Sequence, residues 1–308
     1  MIRKIKFKDE FFLCLWSIAI IAAVPFFFGK KLNFSSEIQN ASTNESMNAE
    51  DVFAEEDFSE NPLPENASII IPADLSGKQF ENQTGHSINE SNIPSYRKAK
   101  ENFTVLIIHT YGTQGYCKEG YITKRSTLKT EIEAENVVGV GNALAEALNQ
   151  LGINTIHDKT MYDKISYSGA YNLSTEAVRN YMENDPSIKF VIDIQRSSLL
   201  SQNGSCIKAV TTTKKGKTAQ IFFKSGSDEN GADFPNWEKN LSLSYAISKN
   251  LYEINPKLSC GVTLLPSGYG QYANEGYITV EIGTAGNTPK EAENAAELLA
   301  EAFFKTVK

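Results

Sequence analysis

The sequence is short of histidine and cysteine and carries no surplus of basic residues. Its 308 residues include three histidines and four cysteines, and the net charge is −7. Cys14 lies in an apolar N-terminal run. Cys117, Cys206 and Cys260 make an odd number in the C-terminal part, with no CxxC spacing. That excludes a zinc ribbon and a disulfide-rich framework. One bridging pair is compatible with an exported domain, the sequence does not choose it, and buried thiols are the expectation. No basic face is implied, so nucleic acid is excluded as the expected partner.

Two local absences divide the chain. Phe11 to Gly29 is 19 residues without a charge, and as a helix it spans about 28 Å, one hydrocarbon core. Arg3, Lys4, Lys6 and Lys8 precede it and Lys30 and Lys31 follow. The stronger basic cluster is N-terminal, which places the N-terminus in the cytoplasm and the rest of the chain outside the cell membrane. The exit Pro25-Phe26-Phe27-Phe28-Gly29 lacks the small residues of a cleavage site. Residues 1–31 therefore read as a basic tail and an uncleaved single-pass anchor. Residues 32–100 are poor in aliphatics and carry four basic against twelve acidic residues. Such a composition buries too little apolar surface to offset chain entropy and reads as a disordered tether. Ser68-Ile69-Ile70-Ile71-Pro72 is its exception, a candidate edge strand.

Residues 101–308 alternate strand and helix. Val105 to His109 is a continuous apolar run ending in Thr110-Tyr111-Gly112-Thr113-Gln114, the mark of a strand buried on both faces. Ligands in α/β sheets bind beyond the carboxyl ends of such strands, so His109 stands where a site is built. Helical spacing follows over 133–151 with Gly152 as stop, then a strand over 153–157. Ser174 is read as the cap of a helix through Met182, and 190–194 as a buried strand. Lys214-Lys215-Gly216-Lys217 is read as the tip of a hairpin joining 208–213 to 219–223. A helix over 237–254, strands over 260–265 and 277–282, and a final helix opened by Thr288-Pro289-Lys290-Glu291 complete the pattern. The expected fold class is α/β, three layers around a mostly parallel sheet.

Five ordered stretches resemble the stage II sporulation protein P family: 107–116, 138–144, 156–160, Val191-Ile192-Asp193-Ile194-Gln195-Arg196, and 280–288. The resemblance implies a membrane-anchored, zinc-dependent peptidoglycan hydrolase of sporulation with an N-acetylmuramoyl-L-alanine amidase-like fold. Such a protein strips stem peptides from glycan strands and works beside other engulfment and cell-wall hydrolases. Glu281 matches the family's general acid/base glutamate, and His109 a motif histidine that ligates metal. The departures are specific. Where the family reads His-Thr-His-Thr-Thr-Glu, this chain reads His109-Thr110-Tyr111-Gly112-Thr113-Gln114. Asp-Ile-His-Arg-Asp becomes Asp193-Ile194-Gln195-Arg196-Ser197, and an expected His-Asp becomes Tyr162-Asp163. Tyr and Gln are poor zinc ligands beside His and carboxylate, so zinc, the family's cofactor, has lost most of its ligands here.

Two functions follow from that comparison. One is a catalytically degenerate module that binds wall or a partner through Tyr111, Gln114, Asp193, Gln195 and Arg196. The alternative is an active amidase with a rebuilt metal site drawn from His109, His157, Asp193 or Glu281. The loop Ser267-Gly268-Tyr269-Gly270-Gln271-Tyr272 offers aromatic platforms to a glycan, and the Lys214–Lys217 tip offers charge to anionic wall polymers.

Overall fold

The computed structural model describes residues 70–98, 102–118, 128–202 and 205–308, and the backbone of 38–39. The membrane anchor expected over 11–29, and the localisation that rests on it, lie outside these residues. Among the described residues no helix is long and apolar enough to cross a membrane.

The strands are Ile38–Gln39 (β1), Ile71–Ala73 (β2), Phe80–Asn82 (β3), Thr104–Ile108 (β4), Asn154–His157 (β5), Ile188–Ser197 (β6), Leu200–Ser201 (β7), Ile207–Thr213 (β8), Gly216–Ala219 (β9), Ile221–Gly226 (β10), Ser259–Leu265 (β11) and Tyr277–Thr284 (β12). The helices are Val137–Gln150 (α1), Tyr162–Ile165 (α2), Ala170–Asn184 (α3), Trp237–Ile254 (α4) and Pro289–Val307 (α5). Seven strands form the central sheet in the order β3-β11-β10-β12-β6-β4-β5. All its pairings are parallel except β10 with β12, where two parallel blocks of opposite direction meet.

Alternation along the strands feeds two cores. Val105, Ile107, Ile192, Ile194, Ile278, Val280, Ile221 and Phe223 face α1, α4 and α5. Leu106, Ile108, Val191 and Tyr277 face α3 through Val178. The result is three layers. The ends of α1 and the start of α5 are closed by local rules. The Thr288 side chain accepts from Glu291 N while Glu291 accepts from the Thr288 backbone, with Pro289 in the first turn. Asn136 caps α1 by accepting from Val138 N, and Gly152 leaves it at φ +80°.

Three expectations need correction. The tether does not extend to residue 100, because residues 71–98 are part of the packed structure. Phe80–Asn82 adds an edge strand beside β11, and Ile71–Ala73 pairs in parallel with β8 in a small sheet completed by β9. Ser174 is not a cap. The α3 helix starts four residues earlier, and Ser174 is buried inside it, with Oγ 2.9 Å from Thr110 Oγ1. The hairpin is β8–β9, with Gly216 at φ +91°; after Gln220 the chain leaves it and enters the central sheet as β10. Its tip lysines are engaged, Lys214 with Glu301 and Lys215 with Glu297 on α5, so they stand as intramolecular ion pairs.

Candidate functional site

The carboxyl ends of β4, β6 and β12 carry the residues singled out from the sequence, but they point to opposite faces. Ile108 ends β4, and residues 110–113 form a turn closed by Gln114 N donating to Tyr111 O at 3.1 Å. His109 and Tyr111 therefore do not share a face as an extended strand would require. His109 goes to the α1 side and Tyr111 to the α3 side.

On the α1 side, His109 is fully buried and its Nε2 lies 2.8 Å from His157 Nε2, at the end of β5. His109 Nδ1 sits 3.2 Å from the Ile194 carbonyl, which only accepts. Nδ1 of His109 therefore carries the proton, its Nε2 accepts, and His157 Nε2 donates. The pair fits because α1 presents Gly141: a Cβ there would stand 2.6 Å from both Nε2 atoms. Burial, followed by the charge of His157, pushes His109 down to about 3. Burial and then Lys159 push His157 down to about 4. Both folded values lie below the unfolded value near 6.5, so the unfolded chain binds more protons as the pH falls. Stability is then lost below 6.5, at about 1.4 kcal/mol per pH unit for His109. Asp193, whose folded value is raised, opposes this below about 6. Thermal melts from pH 7.5 to 5 are expected to show a falling midpoint whose slope flattens in His109→Gln. A slope unchanged by that substitution would rule out the neutral histidine pair.

Arg196 and Gln114 also serve the fold. Arg196 is 2% exposed and alternates to the side of Ile192 and Ile194. Its guanidinium donates to the carbonyls of Gly115, Leu128 and Ser197, and Gln114 Oε1 accepts from Arg196 N at 2.8 Å. Asp158 accepts from Tyr162 OH and from Thr160 N, and Asp163 from Thr113.

The α3 side holds a second polar cluster. Asp193 is fully buried and accepts from Thr110 N at 2.9 Å, Thr110 Oγ1 at 2.8 Å and Gln195 Nε2 at 2.8 Å. Burial pushes it up to about 6, against those three bonds. Gln195 Nε2 also reaches Tyr171 OH at 3.4 Å. Tyr171 from α3 is the middle of a row: Tyr167 to Tyr111 at 5.4 Å, Tyr111 to Tyr171 at 5.5 Å, Tyr171 to Tyr269 at 5.7 Å. Lys129 stands 4.1 Å over the Tyr167 ring. Burial, then Tyr167 and the nearby acids, push Tyr111 up to about 12, so it stays a neutral phenol. Of the 267–272 loop, Tyr269 joins this row, Gln271 is buried with Oε1 on Gly226 N, and Tyr272 packs outside against Phe234. Glu281 comes from β12 just before a break in register at Gly283, φ +67°. Its partner is Lys224 of β10, Nζ to Oε1 2.6 Å, rather than Arg196. Burial lowers the Lys224 pKa, and the charge and hydrogen bond of Glu281 outweigh it and hold it above the ordinary value.

The four candidates for a rebuilt metal site, His109, His157, Asp193 and Glu281, are therefore not brought together. His109 and His157 lie on one face of the sheet, Asp193 and Glu281 on the other. The two facing Nε2 atoms are closer than the roughly 3.3 Å that two nitrogens about 2.0–2.1 Å from a tetrahedral zinc require. Among the described residues no three His, Cys, Asp or Glu side chains come together to hold a metal ion. These residues do not fit zinc. Sequence reasoning missed Lys224, Tyr171 and the Gly141 niche. The signal for Lys224 was present, a cation interrupting Ile221-Phe222-Phe223.

A three-layer α/β domain with a polar cluster and a row of tyrosines at its strand ends defines the class. The family model for stage II sporulation protein P matches residues 23–304, and the chain belongs to that family. The stage II sporulation protein P of Bacillus subtilis (strain 168) is 25% identical over 244 residues, 73% of this chain and 56% of that protein. The chain thus spans a little over half the length of this relative. Among solved structures, the N-acetylmuramyl-L-alanine amidase Ami1 from Mycobacterium abscessus is 12% identical, over 66% of this chain and 98% of that one, with a TM-score of 0.37. The CwlD amidase from Clostridioides difficile, solved in complex with the GerS lipoprotein, is 16% identical over 66% of this chain and 95% of that one, TM-score 0.36.

Proposed function

We propose that the protein is a sporulation-associated, membrane-anchored member of its family that holds peptidoglycan in the cleft without cutting it, beside cell-wall hydrolases that do cut. The observation that carries this reading is the chemistry of the cleft. Tyr111 and Gln195, at positions where the family resemblance expects histidine, are a neutral phenol and an amide beside Tyr171. Glu281, the position of the family's general acid/base, is tied to Lys224. Amide hydrolysis needs a polarised carbonyl and an activated water, and neither is supplied by neutral tyrosines and an amide. The same groups suit binding: rings offer flat apolar faces, and hydroxyls and amides offer oriented hydrogen bonds. The basic-then-apolar N-terminus supports a place outside the membrane, facing the wall.

The test uses the purified full chain. It is expected to co-sediment with isolated sacculi, release no stem peptides and carry no stoichiometric zinc. Release of stem peptides together with one zinc per chain, both lost in Glu281→Gln, would establish the active amidase instead.

A further inference from the structure

Lys224 occupies an unusual place in the cleft. It sits in β10 between Phe223 and Ser225, both buried, and alternates to the face opposite Phe223, the face of Glu281. Glu281 Oε1 takes one of its three donors. The side chain keeps 35% of its surface exposed, so part of it meets solvent beside the ion pair. Lys224 and the buried Asp193 are both in register with Thr279 of β12, and Gln271 Nε2, two residues beyond Tyr269, donates to the Lys224 carbonyl at 2.8 Å. Tyr269 has a positive φ of 47°, the only non-glycine to do so among the described residues. Such a conformation persists where the surroundings impose it, and here it sets the ring against Tyr171 at 5.7 Å. A cation thus lies at one end of a tyrosine row whose far end is Tyr167, 49% exposed, under Lys129.

We infer that Lys224 selects the ligand of this cleft by hydrogen-bonding the free terminal carboxylate of a peptide whose chain lies along the tyrosine row. The inference rests on the wall-binding reading and names the part of the wall that is read. An amide or a sugar hydroxyl gives the ammonium a neutral partner; a carboxylate gives it a charged one, and charged hydrogen bonds are roughly twice as strong. Glu281 already shares that ammonium, so an incoming carboxylate enters as a second acceptor against the repulsion of the first. Two substitutions therefore act in opposite directions. Lys224→Met removes the selecting charge, and Glu281→Gln removes the competitor while keeping the shape.

The experiment measures binding of the full chain to a synthetic tetrapeptide with a free C-terminal carboxylate and to the same peptide as its C-terminal amide. The carboxylate form is expected to bind about tenfold more tightly. Lys224→Met is expected to bind both forms alike, Lys224→Arg to keep the preference, and Glu281→Gln to widen it. Equal binding of the two peptides by the unsubstituted chain overturns the inference without needing any variant to fold, as does a preference that survives Lys224→Met or failure to bind either peptide. Loss of co-sedimentation with sacculi, with the peptide preference intact, would instead overturn the wall-binding reading.

Discussion

Arg196→Met is expected to lower the unfolding free energy by about 1.5–3 kcal/mol, the range for losing buried hydrogen bonds made by a charged group. The sequence places Arg196 among ligand-binding residues, and the geometry assigns it to the fold. Its guanidinium gathers three carbonyls from separate stretches: Gly115 beyond β4, Leu128 ahead of α1, and Ser197 at the end of β6. Methionine fills much of the volume but leaves these carbonyls to find other donors in a buried site. Lysine keeps the charge yet lacks the planar fork, so Arg196→Lys is expected to retain only part of the loss. The measurement is the urea midpoint, with the slope unchanged if the folded and unfolded states keep their compactness. A midpoint shift worth less than about 0.5 kcal/mol, the ordinary surface range, would return Arg196 to the cleft.

How far the sequence disclosed this arrangement depends on the kind of signal. The buried strands were legible because apolar runs such as Val105 to Ile108 have few other uses, and β4 occupies Thr104–Ile108. The last helix was legible from chemistry that acts within four residues, and the capping box at Thr288 and Glu291 is formed. What depended on a strand's last residue was not legible. A single residue of difference in where β4 ends sends Tyr111 away from His109, because side chains alternate with period two. The same arithmetic separates Arg196 from Gln195. The apolar run up to Pro72 was legible as a strand and leads into β2, but residues 74–98 were unreadable for another reason: their composition is polar, and their order comes from long-range pairing. Asp74 joins Lys257, Gly85 N donates to Glu229, and His86 packs on Trp237 at 4.7 Å. Such partners are more than 140 residues away and leave no local pattern. Ser174 misled because a buried serine inside a helix and a serine at its cap have the same local sequence signature.

A restored variant carrying Tyr111→His, Gln114→Glu and Gln195→His is expected to acquire about one tightly bound zinc per chain, against none expected for the unsubstituted chain. The three changes rewrite this chain at the positions where its motifs depart from those of its family. The structure supports the choice of at least two of them. Tyr111 and Gln195 both touch Tyr171, one ring to ring at 5.5 Å and the other by hydrogen bond at 3.4 Å, so imidazoles there would open on the same space. Gln114 Oε1 accepts from Arg196 N, the residue after Gln195, and a carboxylate keeps that bond while gaining a free oxygen. Three such donors with a fourth position left to water form a catalytic zinc site. Lys224 opposes the change, since its ammonium repels a divalent cation on the same side of the sheet. Adding Lys224→Met to the triple variant is therefore expected to tighten zinc further and to release Glu281 for proton transfer. The readout is metal content after dialysis, then release of stem peptides from sacculi. If the quadruple variant folds, as its circular dichroism would report, and still takes up no zinc, the cleft differs from the family's metal site in backbone as well as in side chains. The account given for Tyr111 and Gln195 would then be wrong.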